Sequence, residues 1–285
     1  METRFLSTFL SVVKTGSIAE TARRLNITPS AVTQRMRALE DEIGQPLVRR
    51  SGQAMQPTSA ANAIIRDAER ILALENDLKA AASADRETGL LRIGVIQTAL
   101  TGLLPDILLR LRQNRPGIEL YLVPGTSGDL YALVNEGGLD AAFVVKPHFV
   151  LPKSLDWARL RKERLLLITA SGQEVRDPQS ILRREPFLRY DRNHWGGRIV
   201  DQYLRRQRIR PNEQYELDSL EAIVIMVSRG LGVAIVPDWA PPWPQGVSVG
   251  RVPLPDAPVR EIGVIWRRTS VRLPLIRAFV SEVVP

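Results

Sequence analysis

The chain contains no cysteine. Disulfides, thiolate metal sites and thiol-based redox sensing are therefore excluded within it, and the composition fits a reducing compartment. His148 and His194 are its two histidines, so a metal site would have to rest mainly on carboxylates. No stretch approaches the roughly 20 apolar residues that span a bilayer. Met1 to Val13 alternates polar and apolar residues, without the continuous run or small-residue cleavage site of a secretion signal. A cytoplasmic protein with no membrane partner is expected. G-x-S-x-G, the P-loop, H-E-x-x-H and a catalytic cysteine are also missing. No catalytic residue, metal or cofactor is expected, and the chain does not read as an enzyme.

What is present has the size of about two domains, at 285 residues. The formal net charge of +8 favours a polyanionic partner, though charge says nothing of fold.

Gly16 to Arg50 reads as two short helices, a tight turn and a basic loop. Ala19, Ala22 and Leu25 recur at three-residue spacing, which places them on one buried face of a helix over Ile18–Leu25. Asn26 tolerates the left-handed backbone that a reversal needs. Thr28 suits an N-cap and Pro29 the first helical position, since its missing N–H would be unpaired there anyway. The second helix turns Ala31, Val32, Met36 and Leu39 inward and leaves Ser30, Thr33, Gln34 and Arg37 outside. Such an N-terminal face suits a DNA major groove; an ordinary helix pair with a polar surface has the same spacing. Arg49 and Arg50, with Ser51 and Gly52, read as a basic turn able to touch phosphate. Phe5, Leu6, Phe9, Leu10, Val12 and Val13 form a packing helix beneath, and Ser51 to Gln56 a short two-stranded wing.

Gly16-Ser17-Ile18, Ala22, Leu25, Ser30 through Arg35, Leu39-Glu40, Gly44, Pro46-Leu47 and Arg50 resemble the winged helix-turn-helix of LysR-type transcriptional regulators. The resemblance is close over about the first 60 residues, and the remaining length and layout agree. It implies binding to double-stranded promoter DNA through Thr28, Pro29, Ser30, Thr33, Gln34, Arg37, Arg49 and Arg50. It also implies a homodimer or homotetramer, a small-molecule effector and contact with RNA polymerase. Family wings usually carry more basic residues than Gln53, Ala54 and Gln56 provide.

Ser59 to Asp85 lacks Pro and Gly and has strong helix composition. Ala61, Ile64, Ala68, Ile71, Leu78 and Ala82 fall near heptad spacing, which calls for a partner helix; packing on the chain's own C-terminal domain is the alternative. Ala81 to Gly89 reads as a hinge. Strands are predicted at Leu91–Ile96, Glu119–Val123 and Ala141–Val145, alternating with helices around Leu103–Leu111 and Leu130–Asn135. That βαβαβ order predicts a mostly parallel sheet. Strands at 165–169, 187–190, 214–217, 233–236 and 261–266 follow, with helices at 197–207, 219–228 and 274–284. The fold class is thus α/β overall: a winged helix-turn-helix (1–58), a linker helix and hinge (59–88) and an effector domain (89–285). The resemblance implies that this last part is similar to type 2 periplasmic binding proteins. One subdomain would span about 89–160 and 265–285, the other about 161–264.

Ligands of open α/β sheets lie at the carboxyl ends of strands. Thr98, Thr126 and Ser127 follow such ends and precede helices, where free N–H groups and hydroxyls suit a carboxylate; simple N-capping reads the same way. The resemblance implies that Thr98 and Thr126 line the effector cleft. The opposite wall is assigned to His194, Trp195, Gly196 and Asp218, with Gly196 and Gly197 allowing close approach of a ligand and Val233 and Pro237 on the floor. A regulator gated by an anionic small molecule is the leading reading. An exported solute-binding protein is the main competitor, and an enzyme the third.

Overall fold

A computed structural model describes residues 1–52, 54–82 and 88–284. The chain forms two compact units, Met1–Ala84 and Asp85–Pro285.

The first unit comprises α1 (Thr3–Thr15), α2 (Ile18–Leu25), α3 (Pro29–Ile43), β1 (Val48–Ser51), β2 (Ala54–Pro57) and α4 (Ser59–Ala82). Leu6, Phe9, Val12, Val32, Met36 and Leu39 lie in its core. Asn26 adopts φ 53°, and the Thr28 hydroxyl accepts the Ala31 N–H at 3.2 Å, so the turn forms as its residues dictate. The inner face of α2 differs from expectation. Ala19 is exposed, and Thr21 and Ala22 are the buried pair. Thr21 is tolerated there because its hydroxyl bonds Thr15 at 2.8 Å, a compensation that apolar spacing does not register. Arg49 and Arg50 lie in β1, opposite Gln56 and Met55, rather than in a turn. Successive strand residues face opposite sides, so the two arginines address different surfaces.

Ala61 and Ala68 of α4 are buried, and Ile64 and Ile71 pack partly against the same core. The head itself therefore covers the beginning of the predicted seam. Leu74 and Leu78, by contrast, are 61% and 73% exposed. The end of this helix at Asp85, the side chain of Ala82, Gln53 of the wing and most of the predicted hinge lie outside the described residues.

The second unit runs β3 (Gly89–Val95), α5 (Gln97–Gly102), α6 (Leu104–Asn114), β4 (Ile118–Pro124), α7 (Ser127–Glu136), β5 (Ala141–Val145), β6 (Leu155–Ala170), α8 (Pro178–Arg184) and β7 (Pro186–Tyr190). It continues through α9 (Trp195–Arg206), β8 (Asn212–Leu217), α10 (Leu220–Ser228), β9 (Ala234–Pro237), β10 (Val249–Pro253), β11 (Val259–Arg267) and α11 (Leu273–Val283). β4, β3 and β5 are parallel neighbours, but β11 and β6 join antiparallel, so the sheet is mixed. Two cores result. Leu91, Phe143 and Phe279 belong to one lobe, and Leu167, Val200 and Ile223 to the other.

β6 is 16 residues long, and only its end was legible in the sequence. Its first part, up to Arg164, pairs with β11 in the first lobe. From Leu165 it pairs with β9 on one side, and from Leu166 with β10 on the other. The run Ala158-Arg-Leu-Arg-Lys-Glu-Arg164 pairs with β11 alone among the described strands, and its many charges look like solvated chain rather than strand. α8 and β10 were likewise not foreseen.

Candidate functional site

Between the two lobes of the second unit lies a cavity of about 440 Å³. Thr98, Thr126, Ser127, His194, Trp195, Gly196 and Asp218 all line it, whereas Gly197, Val233 and Pro237 do not. Their local settings differ from expectation. α5 starts at Gln97 rather than near residue 101, so Thr98 sits inside its first turn and caps nothing. Its buried hydroxyl accepts from the Arg260 guanidinium at 3.2 Å. Thr126 does cap α7, accepting the Asp129 N–H at 3.3 Å and donating to the Asp129 carboxylate at 2.8 Å. Its hydroxyl and the helix end thus already have an anionic partner, which weakens the case for a ligand carboxylate there. Ser127 Oγ accepts the Val145 N–H at 3.0 Å.

The opposite wall is the start of α9. His194 occupies the N-cap position without a side-chain bond to the helix. A Cβ on Gly196 would come within 2.7 Å of the Tyr190 ring, and one on Gly197 would overlap the Asp191 carbonyl. These glycines therefore let β7 and its turn pack closely; they were expected to admit the ligand instead. Trp195 meets Tyr131 and Phe149 at ring-centroid distances of 5.7 Å, and His148 at 6.1 Å. Tyr131 comes from the first lobe and Trp195 from the second, so the cluster bridges them beside the cavity. His148 Nε2 lies 2.9 Å from Arg198. Val233 and Pro237 are buried with β9 in the second lobe and do not form the floor.

A pair that the sequence reading missed helps form this site. Arg260 lines the cavity although only 1% exposed, and Glu163, 2% exposed, holds it through Nε at 2.7 Å and a terminal nitrogen at 2.6 Å. The two are direct cross-strand partners on β11 and β6. Arg161 Nε stands 3.6 Å from the other Glu163 oxygen. Burial pushes the Glu163 carboxyl above its usual range, opposed by the charge and hydrogen bond of Arg260. Burial likewise raises the Tyr190 phenol, against a hydrogen bond with Arg260. A carboxylate behind it and two hydroxyls beside it fix the guanidinium, which suits a planar anion such as a carboxylate. Arg260 precedes the strand expected at 261–266 and sits beside Glu261, so no local pattern in the sequence singles it out.

In the first unit, Thr28, Pro29, Ser30, Gln34 and Arg37 are exposed and Thr33 is half-buried. The Thr33 hydroxyl donates to the Pro29 carbonyl at 3.0 Å, which leaves its lone pairs and its methyl group for a partner. Arg49 and Arg50 are exposed on the wing, and Arg50 Nε donates to the Gly52 carbonyl at 3.2 Å. Among the described residues no cluster of His, Asp and Glu could hold a metal, and no helix is long and apolar enough to cross a membrane.

Residues 3–62 match the family described as bacterial regulatory helix-turn-helix protein, lysR family, and residues 84–284 match the LysR substrate binding domain. The regulator YofA of Bacillus velezensis is 32% identical, over 83% of this chain and 81% of its own. The probable regulator LrrA of Synechococcus elongatus is 28% identical, over 97% and 94%. The solved structure of full-length CbnR in complex with its target DNA has the same fold, with a TM-score of 0.72 at 24% identity over 99% of both chains. With both family domains present in order, the chain belongs to the LysR family of transcriptional regulators, with a helix-turn-helix that binds DNA and a domain that binds an effector.

Proposed function

We propose that the outer face of α3 reads base edges, that the wing arginines contact phosphate, and that the cavity between the lobes holds the effector. Ser30, Thr33, Gln34 and Arg37 address the major groove, with Thr28 and Pro29 at the helix start. Thr33 spends its proton on the Pro29 carbonyl, so it serves as an acceptor for a base amino group or packs on a thymine methyl. Arg49 and Arg50 reach the backbone on opposite sides of β1. The exposed Leu74 and Leu78 of α4 support pairing of two chains, and a tetramer forms as a dimer of dimers. The protein acts in the cytoplasm and contacts RNA polymerase at the promoter; it turns nothing over.

The observation that carries the effector reading is the convergence of Thr98, Thr126, Ser127, His194, Trp195, Gly196 and Asp218 on one cavity with Arg260 in its wall. The effector bears an anionic group held by Arg260 and Thr98. Occupancy shifts the population between lobe arrangements and so changes how the paired heads engage an operator.

Operator binding tests the DNA face. Thr33→Ala and Gln34→Ala should relax base preference by about 1–3 kcal/mol at the contacted positions. Arg50→Ala should weaken binding to every sequence and reduce the salt slope by about one. Unchanged base preference in both helix variants would remove α3 as the reading element.

A further inference from the structure

The charges around the cavity are unevenly placed. Arg260 is the one guanidinium or ammonium group lining it among the described residues, and Glu163 already neutralises it from behind. Asp129, Asp218 and Glu221 line the same space. Asp129 is engaged by Thr126, whereas Asp218 and Glu221 have no hydrogen-bond or ion-pair partner among the described residues. A ligand carrying only negative charge would gain Arg260 but meet these carboxylates as the lobes closed and water left, when like charges repel most strongly.

The two kinds of charge come from different elements. The donor group is built by Arg260, Thr98 and Tyr190, with the Arg260-to-Thr98 bond at 3.2 Å. The acidic group is built by Asp218, just beyond β8, and Glu221, in the first turn of α10. Tyr190 pairs with Leu217 across β7 and β8, and the Asp191 N–H donates to the Leu217 carbonyl at 2.8 Å, which brings Asp218 beside the phenol that faces Arg260. Ser219 caps α10 through the Ala222 N–H at 3.2 Å, so the helix start needs neither carboxylate as its cap.

We propose that the effector is a small amino-carboxylate zwitterion, its carboxylate on Arg260 and Thr98 and its ammonium group on Asp218 and Glu221. This rests on the cavity being the effector site, and narrows the ligand from an anion to a molecule of both charges. Ile96, Val145 and Leu220 supply apolar wall for its remaining carbon skeleton.

The test is a thermal-shift and calorimetric titration of the full chain with the standard L-amino acids and 4-aminobutyrate. Each responder is paired with the acid lacking its amino group and the amine lacking its carboxyl group. At least one amino acid should raise the melting temperature, with both truncated partners bound at least about 100-fold more weakly. Asp218→Asn, at an exposed position that should still fold, should weaken the amino acid at least about tenfold and shrink its advantage over the des-amino acid. Arg260→Lys, which keeps a cation beside Glu163, should weaken it as well. A des-amino acid that binds as tightly as its parent overturns the proposal, as does an unchanged preference in Asp218→Asn. A response to plain carboxylates or amines, with none to amino acids, overturns it while leaving the cavity as the effector site. No response to any of the three classes removes both.

Discussion

Arg260 is a structural partner of Glu163 and, as proposed, a ligand contact as well. Glu163 is buried beside it with its pKa pushed up, so its ionised form depends on the guanidinium. Arg260→Met should therefore destabilise the second unit by about 3–5 kcal/mol, because it strands a buried carboxylate. The double variant R260M/E163L should recover most of that loss in denaturant unfolding. A single variant as stable as the parent would mean the pair is hydrated rather than buried. These two residues lie 97 positions apart, and nothing local announces that they are cross-strand partners. Thr98, Thr126 and Ser127 were legible because a hydroxyl between a strand end and a helix start is a local pattern. What that pattern could not show is that Thr126 turns its hydroxyl toward Asp129 and Thr98 receives Arg260.

Among the elements, β7 and β8 are held to α9 by an ion cluster. Arg189 bonds Glu213 at 2.5 Å and Asp201 at 3.3 Å, and Arg192 bonds Glu216 at 2.9 Å. Hydrogen bonds from Arg189 and from Arg192 hold Glu213 and Glu216 respectively below the usual carboxylate value of 4.5. Their contribution is complete above that value and is lost as pH falls through the lowered ones. Glu163, raised by burial, has the opposite sign: it favours the fold at low pH and ceases to do so as pH rises through its own value. Amide protection in β7 and β8, relative to the unstructured-chain rate, should fall as pH drops below 4.5 through the lowered values, and Glu216→Gln should flatten that dependence. An equally steep profile in the variant would assign the acid sensitivity elsewhere. The helices and parallel strands around these elements were readable from periodicity and turn residues. The first half of β6 was not, since alternating arginines look solvated until its pairing strand, β11, is known.

For the whole molecule, the proposed recognition face of α3 carries little charge, with Ser30, Thr33 and Gln34 at its centre, although the chain is +8 overall. Affinity must then depend on joining heads. Leu74→Asp combined with Leu78→Asp should yield monomers by sedimentation and lower operator affinity by about 10²–10⁴-fold, the usual gain from linking two binding modules. A variant still dimeric would move the interface off the end of α4. The heptad spacing carries the expectation of a partner helix, and the proposed pairing rests on the exposed Leu74 and Leu78. How much of that seam the head covers was not, because it depends on where α1 and the wing pack.

β6 has a consequence that appears on heating. Its residues up to Arg164 are hydrogen-bonded into the sheet of one lobe, and those from Leu165 into the sheet of the other. Melting either lobe strips part of one continuous strand and leaves the neighbouring lobe with a loose edge. Two hydrophobic cores should consequently disappear in a single calorimetric transition, with van't Hoff and calorimetric enthalpies equal for the second unit. Two resolved peaks from that unit would show that the strand transmits nothing. A molecule lodged between the lobes then raises one melting temperature shared by both cores.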